Sequence, residues 1–244
     1  MRRVYFLHGF LGDASDAEPL ESALQQHRGF SDFQFTSIPL PVATDWQSGV
    51  DAIRTQMAPN SDLVGYSMGA RLALAVTLEN PQFVRSLAFI SGNPGLDEGE
   101  RSGRLAHDQR WCERLLSEPI DSFLNDWYQQ SVFQRMQPAV RSEAIARRSQ
   151  QLSTHDAKQR QVGLMKCYSV ASQPNYWKQL EQCTCRVMAI AGERDSKYVT
   201  ICQKIQLANE RIQLTVIPHA AHSLVAESPA ELATTLIRFW GSVD

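Results

Sequence analysis

The pentapeptide Gly65-Tyr66-Ser67-Met68-Gly69 constrains this chain more than any other stretch. It has the pattern G-x-S-x-G, and its flanks give the pattern a structural meaning. Asp62-Leu63-Val64 before it is a short apolar run of strand type, and Ala70-Arg71-Leu72-Ala73-Leu74-Ala75-Val76 after it is rich in strong helix formers. A serine between a strand and a helix sits on a strained turn that lifts its Oγ clear of the backbone. Glycines flank it because side chains there would collide with neighbouring elements. The bare pattern arises by chance in many chains; the strand-turn-helix context makes this one a nucleophile elbow.

The elbow sits inside a regular alternation. Val4–Leu7, Phe33–Ile38, Leu63–Val64 and Val84–Ile90 read as strands, and Glu18–His27, Trp46–Met57 and Met68–Glu79 as helices between them. Such alternation indicates a parallel sheet with helices on both faces. The pattern breaks between about Asn93 and Gln182, where the chain is polar and helical with no strand-like run, and strands resume at Val187–Ala191 and Leu214–Ile217. The expected architecture is one α/β domain over residues 1–244, with a mostly parallel sheet of about six strands and a helical lid inserted at about 93–182. A last helix is announced by Ser228-Pro229-Ala230-Glu231, an N-cap followed by proline and a capping-box glutamate, and Leu232, Leu236, Phe239 and Trp240 form its apolar stripe.

Composition narrows the class of function. A net charge of -2 gives none of the clustered basic excess that a nucleic-acid footprint needs. The apolar stretches are too short or too interrupted by charge to span a bilayer. Basic residues at Arg2 and Arg3 precede an apolar run, but the run stops at His8, which suits a first strand rather than a signal peptide. Five cysteines without a C-x-x-C pair suit a reducing cytoplasm and argue against a disulfide framework or a zinc site. No exposed apolar stripe stands out, so a monomer is expected.

A serine hydroxyl is a poor nucleophile or base at neutral pH and needs a histidine, which in turn needs an orienting carboxylate. Sites in parallel sheets gather at the carboxyl ends of strands. After Val187–Ala191 comes Gly192-Glu193-Arg194-Asp195, where Asp195 is favoured over Glu193, which lies nearer the strand. After Leu214–Ile217 comes Pro218-His219-Ala220-Ala221-His222, where His222 is favoured over His219. The chain order Ser67, Asp195, His222 is that of α/β hydrolases. Backbone N–H groups of Met68, after the serine, and Phe10, after the first strand, would form the oxyanion hole. His8, at a strand end, has structural support as its expected role. Arg71 lies one helical turn after Ser67, and a buried guanidinium there requires an anion. A ligand carboxylate and an internal acid are the two candidates.

Further stretches carry a more specific resemblance. They are Gly92-Asn93-Pro94-Gly95-Leu96, Glu100-Arg101 with Arg104, Asp108-Gln109-Arg110-Trp111, Asp126-Trp127-Tyr128-Gln129-Gln130, Arg147-Arg148-Ser149 and Gly192-Glu193-Arg194-Asp195-Ser196-Lys197. Together they resemble the 2-succinyl-6-hydroxy-2,4-cyclohexadiene-1-carboxylate (SHCHC) synthase family of menaquinone biosynthesis, over nearly the whole chain. The resemblance implies an α/β-hydrolase fold and a lyase that eliminates pyruvate from an enolpyruvyl cyclohexene precursor. It implies Ser67, Asp195 and His222 as the triad, Arg71, Arg104 and Arg148 as carboxylate-binding groups, and Tyr66 and Trp127 as pocket lining. It implies a small polycarboxylate as the only partner, and no metal, nucleotide or flavin is required. Read without the resemblance, the lid arginines could be solvated helix charges and Trp127 a packing aromatic. Two departures stand out: Ala221 replaces the glycine usual before the histidine, and the strand hairpin that precedes the first strand in many relatives is missing. A carboxylesterase or thioesterase with the same triad is the nearest rival, and a non-catalytic binding protein on the same fold is the other.

Overall fold

The structure, a computed structural model, describes residues 1–241. Strands β1 (Arg2–Leu7), β2 (Phe33–Ile38), β3 (Ser61–Tyr66), β4 (Val84–Ile90), β5 (Arg186–Gly192) and β6 (Gln213–Ile217) form one sheet in the order β2-β1-β3-β4-β5-β6. Every neighbouring pair is parallel. The helices are α1 (Glu18–Gln25), α2 (Trp46–Arg54), α3 (Met68–Glu79), α4 (Glu98–Ser117), α5 (Ile120–Trp127), α6 (Pro138–Gln151), α7 (His155–Tyr168), α8 (Trp177–Glu181), α9 (Ser196–Ala208), α10 (Leu224–Glu227) and α11 (Pro229–Gly241). Helices α4 to α8 occupy the stretch between β4 and β5. This is the α/β-hydrolase fold, with a sheet of six strands.

Alternation along the central strands divides the apolar residues between two layers. Val4, Phe6, Val64, Ile90, Met188 and Ile190 face α1 and α11, whose Leu20, Leu24, Leu232, Leu236 and Trp240 complete that layer. Tyr5, Leu7, Leu63, Phe89, Val187 and Ala189 face the other way, onto the α3 residues Leu72, Leu74 and Val76 and onto α2 and α9. Each fully buried leucine in these layers contributes about 1.5–3 kcal/mol relative to exposure. The sheet therefore holds its C-terminal strand ends, from which the site is built, on two rigid flanks.

Strand β3 is longer than its apolar run because its first residues are polar yet buried. Asp62 accepts from Arg2 Nε at 2.5 Å and from Ser86 Oγ at 2.5 Å, so a charged side chain is satisfied inside the sheet. Helix α2 ends at Arg54, and Gln56 and Met57 continue in tighter turns bonded to Ile53 and Arg54. Helix α6 buries none of its residues. Among the described residues no helix is long and apolar enough to cross a membrane.

Candidate active site

Ser67 stands between β3 and α3 with φ 54° and ψ -108°, an unusual conformation for a residue with a Cβ. The turn is tight enough to dictate both glycines. A Cβ on Gly65 would lie 2.5 Å from Ala70 Cα, and one on Gly69 would lie 2.2 Å from the Leu7 carbonyl oxygen. The Ser67 Oγ is 3.2 Å from His222 Nε2, and His222 Nδ1 is 2.7 Å from Asp195 Oδ2. With Nδ1–H donating to the carboxylate, Nε2 is free to accept from the serine hydroxyl. His222 and Asp195 are 3% and 5% exposed, so water does not compete for their contact.

Both competing candidates stand aside. His219 is exposed, with φ 61°, and its backbone N–H donates to the Glu193 side chain at 2.9 Å. The loops after β5 and β6 touch so closely that a Cβ on Gly192 would meet the Ala221 carbonyl oxygen at 2.3 Å. Ala221 itself fits because the left-handed backbone falls at His219. His8 is buried and structural: Nδ1 lies 2.8 Å from the Gly9 carbonyl, and Nε2 accepts from Leu40 N–H at 3.3 Å. The Phe10 and Met68 amides make no hydrogen bond among the described residues, which leaves both donors open near the serine.

The arginines fall into two groups. Arg71 is 8% exposed and donates to the Gln173 Oε1 at 3.0 Å and to the Tyr168 carbonyl at 2.6 Å. Among the described residues no carboxylate lies within ion-pair distance of it. Burial, and then the like charge of Arg104, pull its pKa down to about 10, so it remains charged at neutral pH. Arg104 donates from Nε to Asp108 at 2.7 Å, its one hydrogen bond among the described residues. Arg148 belongs to a second group: it donates to Gln151 at 2.6 Å and to Asp16 at 2.5 Å. Burial opposes its charge, but Asp16, Tyr128 and Asp13 together offset that and hold the guanidinium above its ordinary pKa. Arg148 lines a cavity of about 250 Å³ together with Phe10, Tyr66, Trp127, Phe133 and Ser223.

A family model described as the alpha/beta hydrolase family matches residues 4–235. An SHCHC synthase of Escherichia coli O1:K1 is 30% identical over 246 residues, which covers 96% of this chain and 91% of that relative. This chain belongs to the SHCHC synthase family of alpha/beta hydrolases. The identically named protein of Escherichia coli K12 (DH10B) is 29% identical over the same span. Among solved structures, MenH from S. aureus has a TM-score of 0.83 at 23% identity, covering 98% of this chain and 92% of that one. A carboxylesterase structure from Nitrososphaera gargenis has a TM-score of 0.76 at 14% identity, covering 98% and 89%. Both likenesses concern the fold.

Several residues of this SHCHC synthase family member join the site without a signal in the sequence. The His222 ring is boxed in by Tyr198 at 4.7 Å and Phe133 at 5.7 Å, which join Tyr66, already named from the sequence, at 5.7 Å. Glu227 accepts from the amides on either side of His222, Ala221 at 3.2 Å and Ser223 at 3.1 Å. Burial raises the pKa of that carboxyl. Asp108, Gln173 and Asp16 each hold one of the arginines. Their partners are far away in sequence or, for Asp108, look like an ordinary helix-surface pair one turn apart. Only Glu227, four residues after Ser223, lies close enough in the chain to suggest a local contact.

Proposed function

We propose that this protein eliminates pyruvate from 2-succinyl-5-enolpyruvyl-6-hydroxy-3-cyclohexene-1-carboxylate to give SHCHC, a lyase step of menaquinone biosynthesis. The observation that carries the reading is the Arg71 guanidinium, buried one helical turn from Ser67 with only neutral partners among the described residues. A buried cation of this kind is stabilised by an incoming carboxylate, and the substrate is a polycarboxylate. An ester hydrolase acting on neutral substrates has no use for it.

Ser67, His222 and Asp195 act as the triad. Asp195 holds the His222 tautomer, and Ser67 takes the ring C2 proton as its own proton passes to His222 Nε2. The C2–H electron pair delocalises onto the succinyl carbonyl, whose oxygen receives the Phe10 and Met68 amides. As the C5–O bond breaks, double bonds form at C2–C3 and C4–C5. The leaving group departs as the enolate of pyruvate. A proton returned from His222 to its methylene carbon gives pyruvate and restores the triad. Arg71, Arg104 and Arg148 bind carboxylates, and Tyr66 and Trp127 line the pocket. Helices α4 to α8 serve as a lid on the single α/β domain. The enzyme is read as a cytoplasmic monomer, consistent with its five free thiols.

A coupled assay of pyruvate release from the enolpyruvyl precursor tests the proposal. Ser67→Ala should lower turnover by roughly three orders of magnitude or more. Arg71→Ala and Arg104→Ala should act chiefly on KM. Near-normal turnover in Ser67→Ala sinks the role given to the serine, and strong p-nitrophenyl ester turnover without pyruvate release favours the esterase reading.

A further inference from the structure

The turn between α7 and α8 is tied to both members of the first arginine group. Tyr168 offers its carbonyl to Arg71 at 2.6 Å. Ser169, next in the chain, donates from Oγ to Asp108 Oδ2 at 2.6 Å, while Asp108 Oδ1 takes Arg104 Nε at 2.7 Å. The turn is closed by Ser172 and Gln173 amides on the Ser169 carbonyl, and Arg101 holds it to α4 through the Ala171 and Gln173 carbonyls at 2.6 and 2.8 Å. At its end Gln173, with 0% of its surface exposed, accepts from Arg71 through Oε1 and donates from Nε2 to the Asn93 carbonyl, both at 3.0 Å.

The chemistry of position 173 is narrow. One end of the side chain must accept from a guanidinium and the other must donate to a carbonyl, which an amide does and an ionised carboxylate does not. A glutamate would also cancel the charge of Arg71 from inside the protein. We infer that Gln173 is a positioning and specificity-determining residue: its neutral amide aims the Arg71 guanidinium and leaves that charge free for a substrate carboxylate. This rests on the reading of Arg71 as a carboxylate-binding group and deepens it. The Ser169–Asp108 link fixes Arg104 to the same turn, so the two guanidiniums keep one spacing, and Gln173 selects for anionic ligands by declining to be one.

Two variants test the inference, Gln173→Leu and Gln173→Glu, with pyruvate release and calorimetric binding of succinate measured on each and urea midpoints as a check of folding. In Gln173→Leu, Arg71 loses its aim, and KM should rise about tenfold with kcat changed by less than about threefold. In Gln173→Glu, the carboxyl ionises beside the guanidinium and occupies it. KM should rise and succinate affinity fall by about tenfold or more, with a urea midpoint no lower than that of Gln173→Leu. A glutamate variant that binds succinate as the wild type does overturns the inference, as does a loss in both variants that falls on kcat with KM unmoved. The two readings separate cleanly. A wild type that binds succinate but releases no pyruvate, with affinity lost in Gln173→Glu, ends the reaction assignment and keeps the inference; normal pyruvate release with an unaffected glutamate variant does the reverse.

Discussion

Ser67 holds a backbone conformation that costs a non-glycine residue on the order of 1–3 kcal/mol, and the packing around it must supply that energy. Gly69 is where it does so. A Cβ there would meet the Leu7 carbonyl carbon and oxygen at 2.4 and 2.2 Å and the His8 carbonyl oxygen at 2.6 Å, so the start of α3 rests directly on the end of β1. The two amides assigned to the oxyanion hole come from these two pieces of backbone. Gly69→Ala forces them apart, and kcat should fall about 100-fold or more while the circular dichroism stays that of the wild type. Unchanged kcat would show the amide spacing to be irrelevant. His8, beside them, gives the fold a pH dependence. Burial, opposed in part by the Gly9 carbonyl, lowers its pKa below the ordinary 6.5. The unfolded chain therefore binds a proton near pH 6.5 that the folded chain refuses, and stability falls as pH drops below that value. The slope from this group is at most about 1.4 kcal/mol per pH unit. Urea midpoints at pH 7.5 and 5.5 should differ less in His8→Gln than in the wild type. Ser67, Asp195 and His222 were legible in the sequence because each follows a strand, and strand ends converge in a parallel sheet. Gln173 was not legible, since its meaning comes from Arg71, 102 residues away.

Among the elements, α6 is held differently from the rest. It buries none of its residues, yet it roofs the cavity beside Tyr66 through Val140, Ala144, Arg147 and Arg148. Its attachment to the loop after β1 is polar: Arg147 to Asp16 at 3.0 Å and to Ser15 at 2.6 Å, Arg148 to Asp16 at 2.5 Å, and Gln151 to Asp13 at 2.6 Å. Asp16 is the common anchor. Asp16→Asn keeps the shape and removes the charge. Trypsin cleavage after Arg147 and Arg148 should quicken about five- to tenfold, because partly buried Arg–Asp pairs hold about 1–2 kcal/mol of local opening free energy. The urea midpoint of the whole chain should stay put. Mass spectrometry of timed digests reads the outcome, and wild-type cleavage rates at those two arginines would mean that α6 is held by something else. The sheet strands were readable because buried parallel strands are apolar runs. The pieces of the helical stretch were harder to place. Helix α6 is tied by ion pairs to Asp16, and α4 by hydrogen bonds from Arg101 and to Asp108 across the turn before α8, and such contacts between distant residues leave no periodicity in a sequence.

At the scale of the whole molecule, charge is unevenly distributed. The chain carries a net -2, so its bulk repels a polycarboxylate weakly, while Arg71 keeps a buried charge that no carboxylate pairs among the described residues, and the proposed binding groups Arg104 and Arg148 each share theirs with one acid. A cationic cleft with low-dielectric walls raises the local concentration of an anionic substrate, and added salt removes that advantage. The screening length shrinks from about 13 Å at roughly 50 mM salt to about 4 Å at roughly 500 mM, shorter than the reach of the arginines to an approaching ligand. Capture should therefore be the salt-sensitive step and chemistry the insensitive one. Across that range kcat/KM for pyruvate release should fall about tenfold, with kcat changing less than about twofold. Arg104→Gln should flatten the dependence, because Arg104 is the more exposed member of the pair and spends only its Nε on Asp108. Arg71→Gln should lower affinity at every salt concentration, because its charge acts from a buried position that ions do not reach. Equal salt slopes in the wild type and both variants would remove electrostatic capture from the account of this site and leave the arginines as hydrogen-bond donors alone.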